Sequence, residues 1–192
     1  MKELRIAKLN VETRSGDPAE SNDLVLIGCP IVFDEPTTIN DPLGEYTEII
    51  SRGALDGVDL NDTRLLYNHD LSKIPLARAP KTMQLTLTEK GVEMRAVLAD
   101  TEEARSVYTA VQRGDLDGMS FAFKVPEGGD VYDRTTNTRT INKIEKIYEI
   151  SVVPFPAYAQ TSVEARSAMK NMTDPKRDQV KTTLNKILFK GV

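Results

Sequence analysis

The sequence has very few residues of the kinds that build redox and metal centres. Among its 192 residues there is one cysteine, Cys29, and one histidine, His69. One cysteine excludes an internal disulfide and a cysteine-based zinc site, and one histidine excludes a metal site built on two or three imidazoles. Cys29 lies in the apolar stretch LVLIGCPIVF, which predicts a buried, unreactive thiol. Any reaction step that needs an imidazole must use His69.

Long apolar runs and strong charge are also lacking. No window reaches the ~18 uninterrupted apolar residues of a membrane helix, and the opening MKELRIAKLNVETRSGD has no apolar core of the signal-peptide type. The formal charge of −4 at pH 7 is mild, whereas nucleic-acid-binding domains usually carry basic stripes. We therefore expect a soluble protein that starts in a cytoplasm and binds neither membrane nor nucleic acid. The length suits one domain with a tail.

Short segments of alternating polar and apolar residues predict a mainly β domain (α+β) with one or two helices. LVLIGCPIVF predicts a buried strand, with Gly28 and Pro30 favouring a bulge or an edge position. Residues 34–50 predict a loop that leads into a strand or turn near Tyr46. Residues 83–98 predict a hairpin, and the polar stretch 128–140 predicts an exposed hairpin or loop.

Two segments have the periodicity of a helix. In DTEEARSVYTAVQRG the apolar residues recur at i, i+3, i+4 and i+7, with Asp100 as the expected N-cap and Gly114 as the stop. Asp174 to Phe189 predicts an amphipathic helix, for which packing, docking and a disordered tail are all open. We divide the chain into a domain over residues 1–166 and a tail over residues 167–192.

Ser120 is the first candidate for chemistry, in the strand-like stretch DGMSFAFKV after a glycine turn. Alternation places Met119 and Phe121 on a core face and Ser120 and Ala122 on the other. Two small side chains predict an open groove in which an extended peptide can lie beside a nucleophile. A small polar residue that merely fits a sheet explains the same pattern.

His69 and Glu149 are the candidate partners of Ser120. A hydroxyl is a weak nucleophile and needs a base such as His69, which we place at the end of the strand RLLYNHD. In KIYEISVV, Glu149 and Ser151 face away from the apolar row, so Glu149 either meets solvent or has a partner such as His69. Ser151 is a competing nucleophile. Since the three segments are far apart in sequence, spacing alone predicts no more than a candidate serine hydrolase.

The ordered set of LLYNHD, IPLAR, RGDLDGMSFAFKV and IYEISVVPFPAY resembles the prohead proteases of tailed bacteriophages, the HK97-type capsid maturation proteases. The likeness extends from about Val25 to Thr161. It implies a fold similar to the herpesvirus assembly proteases, a β-barrel surrounded by helices. It also implies a serine endopeptidase with Ser120 as nucleophile, His69 as base and Glu149 as orienting acid, and with no metal or other cofactor.

The same resemblance implies partners and a location. The substrates would be the scaffold and the N-terminal delta segment of the major capsid protein, together with the protease itself, inside the assembling prohead in the host bacterial cytoplasm. Arg78 would help to shape the oxyanion hole. Ala77 and Ala122 stand where the family often has glycine, and alanine tolerates positive φ poorly, which leaves the details of that hole open.

Two other functions fit the sequence. One is a non-catalytic head-assembly or scaffold-binding module with the same fold. The other is a general cytoplasmic serine peptidase. Cleavage of a co-expressed capsid protein would distinguish the prohead protease from the non-catalytic module. A gene position beside portal and capsid genes would distinguish it from the general peptidase.

Overall fold

A computed structural model describes residues 2–7, 11–15, 23–41 and 44–154. The predicted tail, including the predicted helix from Asp174, lies outside the described residues. The strands, numbered in chain order, are β1 Lys2–Ala7, β2 Val11–Ser15, β3 Leu24–Val32, β4 Thr37–Asp41, β5 Gly44–Ile50, β6 Arg64–Tyr67, β7 Ala77–Arg78, β8 Met83–Leu87, β9 Gly91–Leu98, β10 Gly118–Lys124, β11 Asp130–Asp133, β12 Thr138–Ile141 and β13 Lys146–Val153. The helix α1 is Glu102–Arg113.

These strands form three sheets. Sheet A has the order β1-β10-β13-β6-β7, sheet B the order β2-β3-β9-β8, and sheet C the order β11-β12-β5-β4. A barrel closes only when its edge strands pair with each other, whereas β1 and β7 each have one strand partner in the described part of the chain. The described residues therefore confirm a mainly β protein with one helix. They do not show the closed, helix-surrounded barrel that the resemblance implies.

Local predictions were confirmed where turn chemistry is strong. The hairpin of β8 and β9 forms as expected, and residues 128–140 form the hairpin of β11 and β12. The pairing of β3 with β9 shifts register between Gly28 and Ile31, so the predicted bulge is present in a strand that has neighbours on both sides. The loop prediction was wrong for β4, which pairs with β5 as a hairpin.

The helix α1 agrees with its predicted face and differs by one residue at its start. The four periodic residues are its buried ones: Ala104, Val107, Tyr108 and Val111. Thr101, rather than Asp100, is the N-cap, and its hydroxyl accepts a hydrogen bond from the N–H of Ala104. Gly114 ends the helix with φ of 80°, a left-handed conformation that suits glycine. No helix among the described residues is long and apolar enough to cross a membrane.

Sheet A positions the candidate site. Its second strand, β10, is antiparallel to β1 and to the central strand β13, and β6 runs parallel to β13 on the far side. Phe121 and Phe123 stack on one face of β10 with ring centroids 5.0 Å apart, and both belong to the main hydrophobic cluster. The residues that alternate with them, Ser120 and Ala122, are therefore on the opposite face.

Candidate active site

Neighbouring strands bring three polar side chains to one face of sheet A. The Cα partner of Ser120 on β13 is Ser151, and the partner of Ala122 is Glu149. Partners in an antiparallel pair point to the same side, with Cβ atoms typically ~5 Å apart. Ser120, Glu149 and Ser151 therefore share a face, and all three are buried.

His69 reaches that face from the turn after β6, two residues beyond the strand end at which we had expected it. Asn68 and His69 have positive φ, 50° and 59°, and the N–H of Asp70 donates to the carbonyl of Tyr67 across the turn. Positive φ at both central residues is characteristic of a type I′ turn, in which asparagine is common. The Asn68 N–H donates to the carbonyl of Val152 at 2.9 Å, which ties the turn to β13.

The imidazole of His69 is paired with the carboxylate of Glu149. Nδ1 lies 2.7 Å from Oε1 of Glu149, and the His69 side chain is 17% exposed. An ionised carboxylate only accepts hydrogen bonds, so this contact places the proton of a neutral ring on Nδ1. Nε2 then carries a lone pair, and it is buried without a hydrogen-bond partner in the described ranges. That is the state required of a general base.

Ser151 joins the turn to the carboxylate. Its hydroxyl donates to Oε2 of Glu149 at 2.6 Å and accepts a hydrogen bond from the backbone N–H of His69 at 3.1 Å. Both oxygens of Glu149 are therefore engaged. Because the Ser151 hydroxyl proton is directed at the carboxylate, this serine is less suited than Ser120 to serve as a nucleophile.

Ser120 lies on the same face but is not bonded to His69. Its hydroxyl donates to the backbone carbonyl of Arg5 in β1 at 2.6 Å. The predicted open groove is wrong, because both Ser120 and Ala122 are fully buried, at 0% exposure. Alternation shows which side a residue faces, but not what packs there, and here residues of β13 lie beside the two small side chains.

Arg78, the predicted oxyanion-hole residue, lies in β7, three strands from β10 in the order of sheet A. Its guanidinium pairs with Asp62, which also binds Arg64 at 3.0 Å. Hydrogen bonding to Arg64 and then to Arg78 lowers the pKa of the exposed Asp62 carboxyl. The structure thus brings His69 into contact with Glu149 on the sheet face that also carries Ser120, and leaves Arg78 at the sheet edge.

The other face of β10 carries an ion cluster that the sequence analysis missed. The five members of this ion cluster are Glu3, Arg5, Glu48, Asp130 and Arg139. Arg5 forms a two-point contact with the Glu48 carboxylate and lies 5.4 Å from the centroid of the Phe123 ring.

Arg139 is the member of the ion cluster that contacts all three acids. It donates to Glu3 at 2.6 and 2.9 Å, to Glu48 at 2.9 Å and to Asp130 at 2.7 Å, and it is 2% exposed. Burial alone would lower the pKa of both arginines, but the nearby carboxylates outweigh it and raise the pKa of each. A signal existed in the sequence, since Glu48 lies two residues from each of the apolar Tyr46 and Ile50 and so shares their strand face.

No group of three or more histidine, cysteine, aspartate or glutamate side chains suited to a metal ion occurs among the described residues. Cys29 is half-buried, and its thiol donates to the carbonyl of Ile31 at 3.4 Å. Burial, followed by the charge of Glu93, raises the pKa of this thiol. A raised pKa keeps the thiol protonated, which agrees with the expected lack of reactivity.

The comparison with protein families decides the relationship of this chain. A family model described as caudovirus prohead serine protease matches residues 9–175. The chain belongs to this family of prohead serine proteases. The match includes all three candidate site residues, Ser120, His69 and Glu149, although it assigns no role to any of them.

A similar sequence and a similar structure come from two phages. The prohead protease of Enterobacteria phage HK97 is 31% identical over 142 residues, which are 72% of this chain and 61% of that relative. The chain thus aligns with less than two thirds of its relative. The structure of the bacteriophage T4 capsid assembly protease, gp21, matches with 12% identity and a TM-score of 0.49, over 81% of this chain and 99% of that one.

Proposed function

We propose that this protein is a serine endopeptidase that matures a phage prohead. The observation that carries the proposal is the buried contact of 2.7 Å between His69 Nδ1 and Glu149, on the sheet face that also presents Ser120. A base with an oriented tautomer beside a serine is the arrangement that nucleophilic catalysis requires. Membership of the prohead serine protease family supports the same reaction.

The reaction begins with rotation of the Ser120 hydroxyl away from the Arg5 carbonyl and toward His69 Nε2. Oγ forms a bond to the carbonyl carbon of the substrate while Nε2 takes the hydroxyl proton. Glu149 holds the imidazolium. Backbone N–H groups near Ser120 stabilise the oxyanion, an effect worth about 3–4 kcal/mol per donor. The C–N bond then breaks, the leaving amine takes the proton from Nε2, and water repeats the sequence to release the acid.

The substrates we propose are the scaffold and the N-terminal delta segment of the major capsid protein, and also the protease chain itself. The site of action is the interior of the assembling prohead in the host cytoplasm. From the family resemblance we also propose a herpesvirus-type arrangement of sheets and helices. Arg78 would have to leave Asp62 to support an oxyanion hole, so we assign that support to backbone N–H groups first.

Co-expression with the major capsid protein of the same phage tests the proposal. Intact mass spectrometry should find shortened capsid protein with the wild-type chain and full-length capsid protein with Ser120→Ala. Glu149→Gln should still cleave, more slowly than the wild type and faster than Ser120→Ala or His69→Ala. Equal products from wild type and Ser120→Ala would rule out Ser120 as the nucleophile.

A non-catalytic assembly module is the second candidate, and the burial of Ser120 is the observation that favours it. Its hydroxyl is at 0% exposure and is bonded to a backbone carbonyl rather than to a base. If neither chain cleaves the capsid protein but both co-purify with proheads, this second function replaces the first.

A further inference from the structure

The site contains a buried hydroxyl to which the proposed reaction gives no role. Ser151 is at 0% exposure and contacts two of the three reaction residues, the backbone of His69 and the carboxylate of Glu149. Three hydrogen bonds form a closed ring: the His69 backbone N–H donates to Ser151, the Ser151 hydroxyl donates to Glu149, and His69 Nδ1 donates to Glu149.

The ring fixes the carboxylate in one orientation. Glu149 contacts His69 through Oε1 and Ser151 through Oε2. The Ser151 distance of 2.6 Å is in the range of a hydroxyl bonded to an ionised carboxylate, and such hydrogen bonds are roughly twice as strong as neutral ones. Without this donor, the Glu149 side chain can turn about its terminal torsion, which is a soft one.

The ring also fixes the backbone of the histidine. Asn68 and His69 both have positive φ, a conformation that costs an L-residue roughly 1–2 kcal/mol each. Two hydrogen bonds to β13 oppose that cost, one to the Val152 carbonyl and one to the Ser151 hydroxyl. The second is the only one of the two that a side-chain substitution can remove.

We propose that Ser151 is a positioning residue that holds His69 and Glu149 in register. Its hydroxyl is bonded to His69 and Glu149, whereas the Ser120 hydroxyl is bonded to the Arg5 carbonyl, so Ser151 acts through the two residues that it links. The expected effect of Ser151 on catalysis rests on the proposed function. The expected effect of Ser151 on the His69–Glu149 contact does not.

The first test is spectroscopic and needs no activity. His69 is the only histidine, so its ring gives unambiguous NMR signals. In full-length chain carrying Ser120→Ala, which keeps the protein uncleaved, the Nδ1 proton should be visible and slow to exchange. Adding Ser151→Ala should remove or broaden that proton signal and mix the ring tautomers, while Ser151→Thr, which keeps the hydroxyl, should retain it.

Thr63→Val is the matched control. Thr63 is also at 0% exposure, but its hydroxyl donates to the Leu60 carbonyl at 2.8 Å and has no contact with the ring. It should lose stability without altering the Nδ1 proton signal. An unchanged signal in Ser151→Ala, an equal change in Thr63→Val, or no recovery in a folded Ser151→Thr overturns the proposal.

The second test is kinetic, with a peptide that spans a cleavage site mapped by mass spectrometry. In the chain that retains Ser120, the substitution Ser151→Ala should lower kcat about 10- to 100-fold with little change in KM. Loss of one hydrogen bond to a charged group has an effect of this size. A rise in KM alone overturns the positioning role.

Loss of all cleavage in Ser151→Ala while Ser120→Ala stays active would instead make Ser151 the nucleophile. If the wild-type chain is inactive, the proposed function fails. The NMR result still decides whether Ser151 holds the contact between His69 and Glu149.

Discussion

Two buried polar clusters lie on the two faces of β10, and they differ in the kinds of side chain that they contain. The ion cluster of Glu3, Arg5, Glu48, Asp130 and Arg139 joins fully charged side chains through two-point contacts. The reaction cluster of His69, Ser120, Glu149 and Ser151 has one carboxylate, one imidazole and two hydroxyls. It leaves Nε2 of the imidazole without a hydrogen-bond partner in the part of the chain that is described.

Under the proposed function, the difference separates polar groups that hold the structure from polar groups that take part in the reaction. A buried charge is strongly destabilising unless it is paired, so the ion cluster depends on every member. An uncharged lone pair on a buried nitrogen costs less and remains able to accept a proton. Burial alone therefore does not indicate function, whereas an unused acceptor next to oriented neighbours does.

The largest effect should come from the reaction cluster and should appear in rate. Ser120→Ala and His69→Ala should each lower kcat/KM by about 10⁴–10⁶, and the double variant should be little worse, because the two residues act as a unit. Peptide cleavage and urea unfolding of the same preparations check this. Multiplicative losses in the double variant would mean that the two residues act independently, and unfolding at much lower urea would mean that they hold the fold instead.

A smaller effect should come from the ion cluster and should appear in stability. Arg139→Met leaves three buried carboxylates short of a partner and should lower the free energy of unfolding by roughly 3–5 kcal/mol. Urea unfolding gives this value. Arg134→Met, in the same hairpin but exposed, is the control. Comparable losses from both arginines would contradict the claim that burial makes the difference.

The smallest effect should come from an exposed ion pair, which supplies the baseline. Arg64 and Arg78 lower the pKa of Asp62, so the pair stabilises the fold above the ordinary aspartate pKa of about 4. That contribution is lost as pH falls through the lowered value. Asp62→Asn should hardly alter the thermal midpoint at pH 7 and should slightly flatten its decline below pH 4. A loss of stability at pH 7 as large as that of Arg139→Met would contradict the distinction between buried and exposed ion pairs.

The sequence predicts local structure well where spacing is short. Helix α1, the β8–β9 hairpin and the bulge in β3 follow from periodicity and from glycine or proline positions. The faces of β10 and β13 follow from alternation. Even so, the meeting of His69 with Glu149 joins residues that are 80 positions apart. Only the family resemblance predicted that contact, since no local rule fixes which strands become neighbours.

Two of the errors of prediction share one physical cause, which is packing between distant segments. The face of Ser120 looked open because its side chains are small, yet residues of β13 and the turn at His69 adjoin it. The ion cluster was missed because charged residues are usually exposed. Glu3 and Arg139, which meet in that cluster, are 136 positions apart.

One residue of β1, a member of the ion cluster, also contacts the reaction cluster. Arg5 gives its guanidinium to Glu48 on one face and its carbonyl oxygen to Ser120 on the other. Lifting β1 away from β10 would therefore release the serine hydroxyl and disrupt the buried charges in the same movement. The two events are thermodynamically linked. A ligand or partner that weakens the ion pairs of Arg5 would therefore also change the fraction of molecules in which the Ser120 hydroxyl is free to turn toward His69.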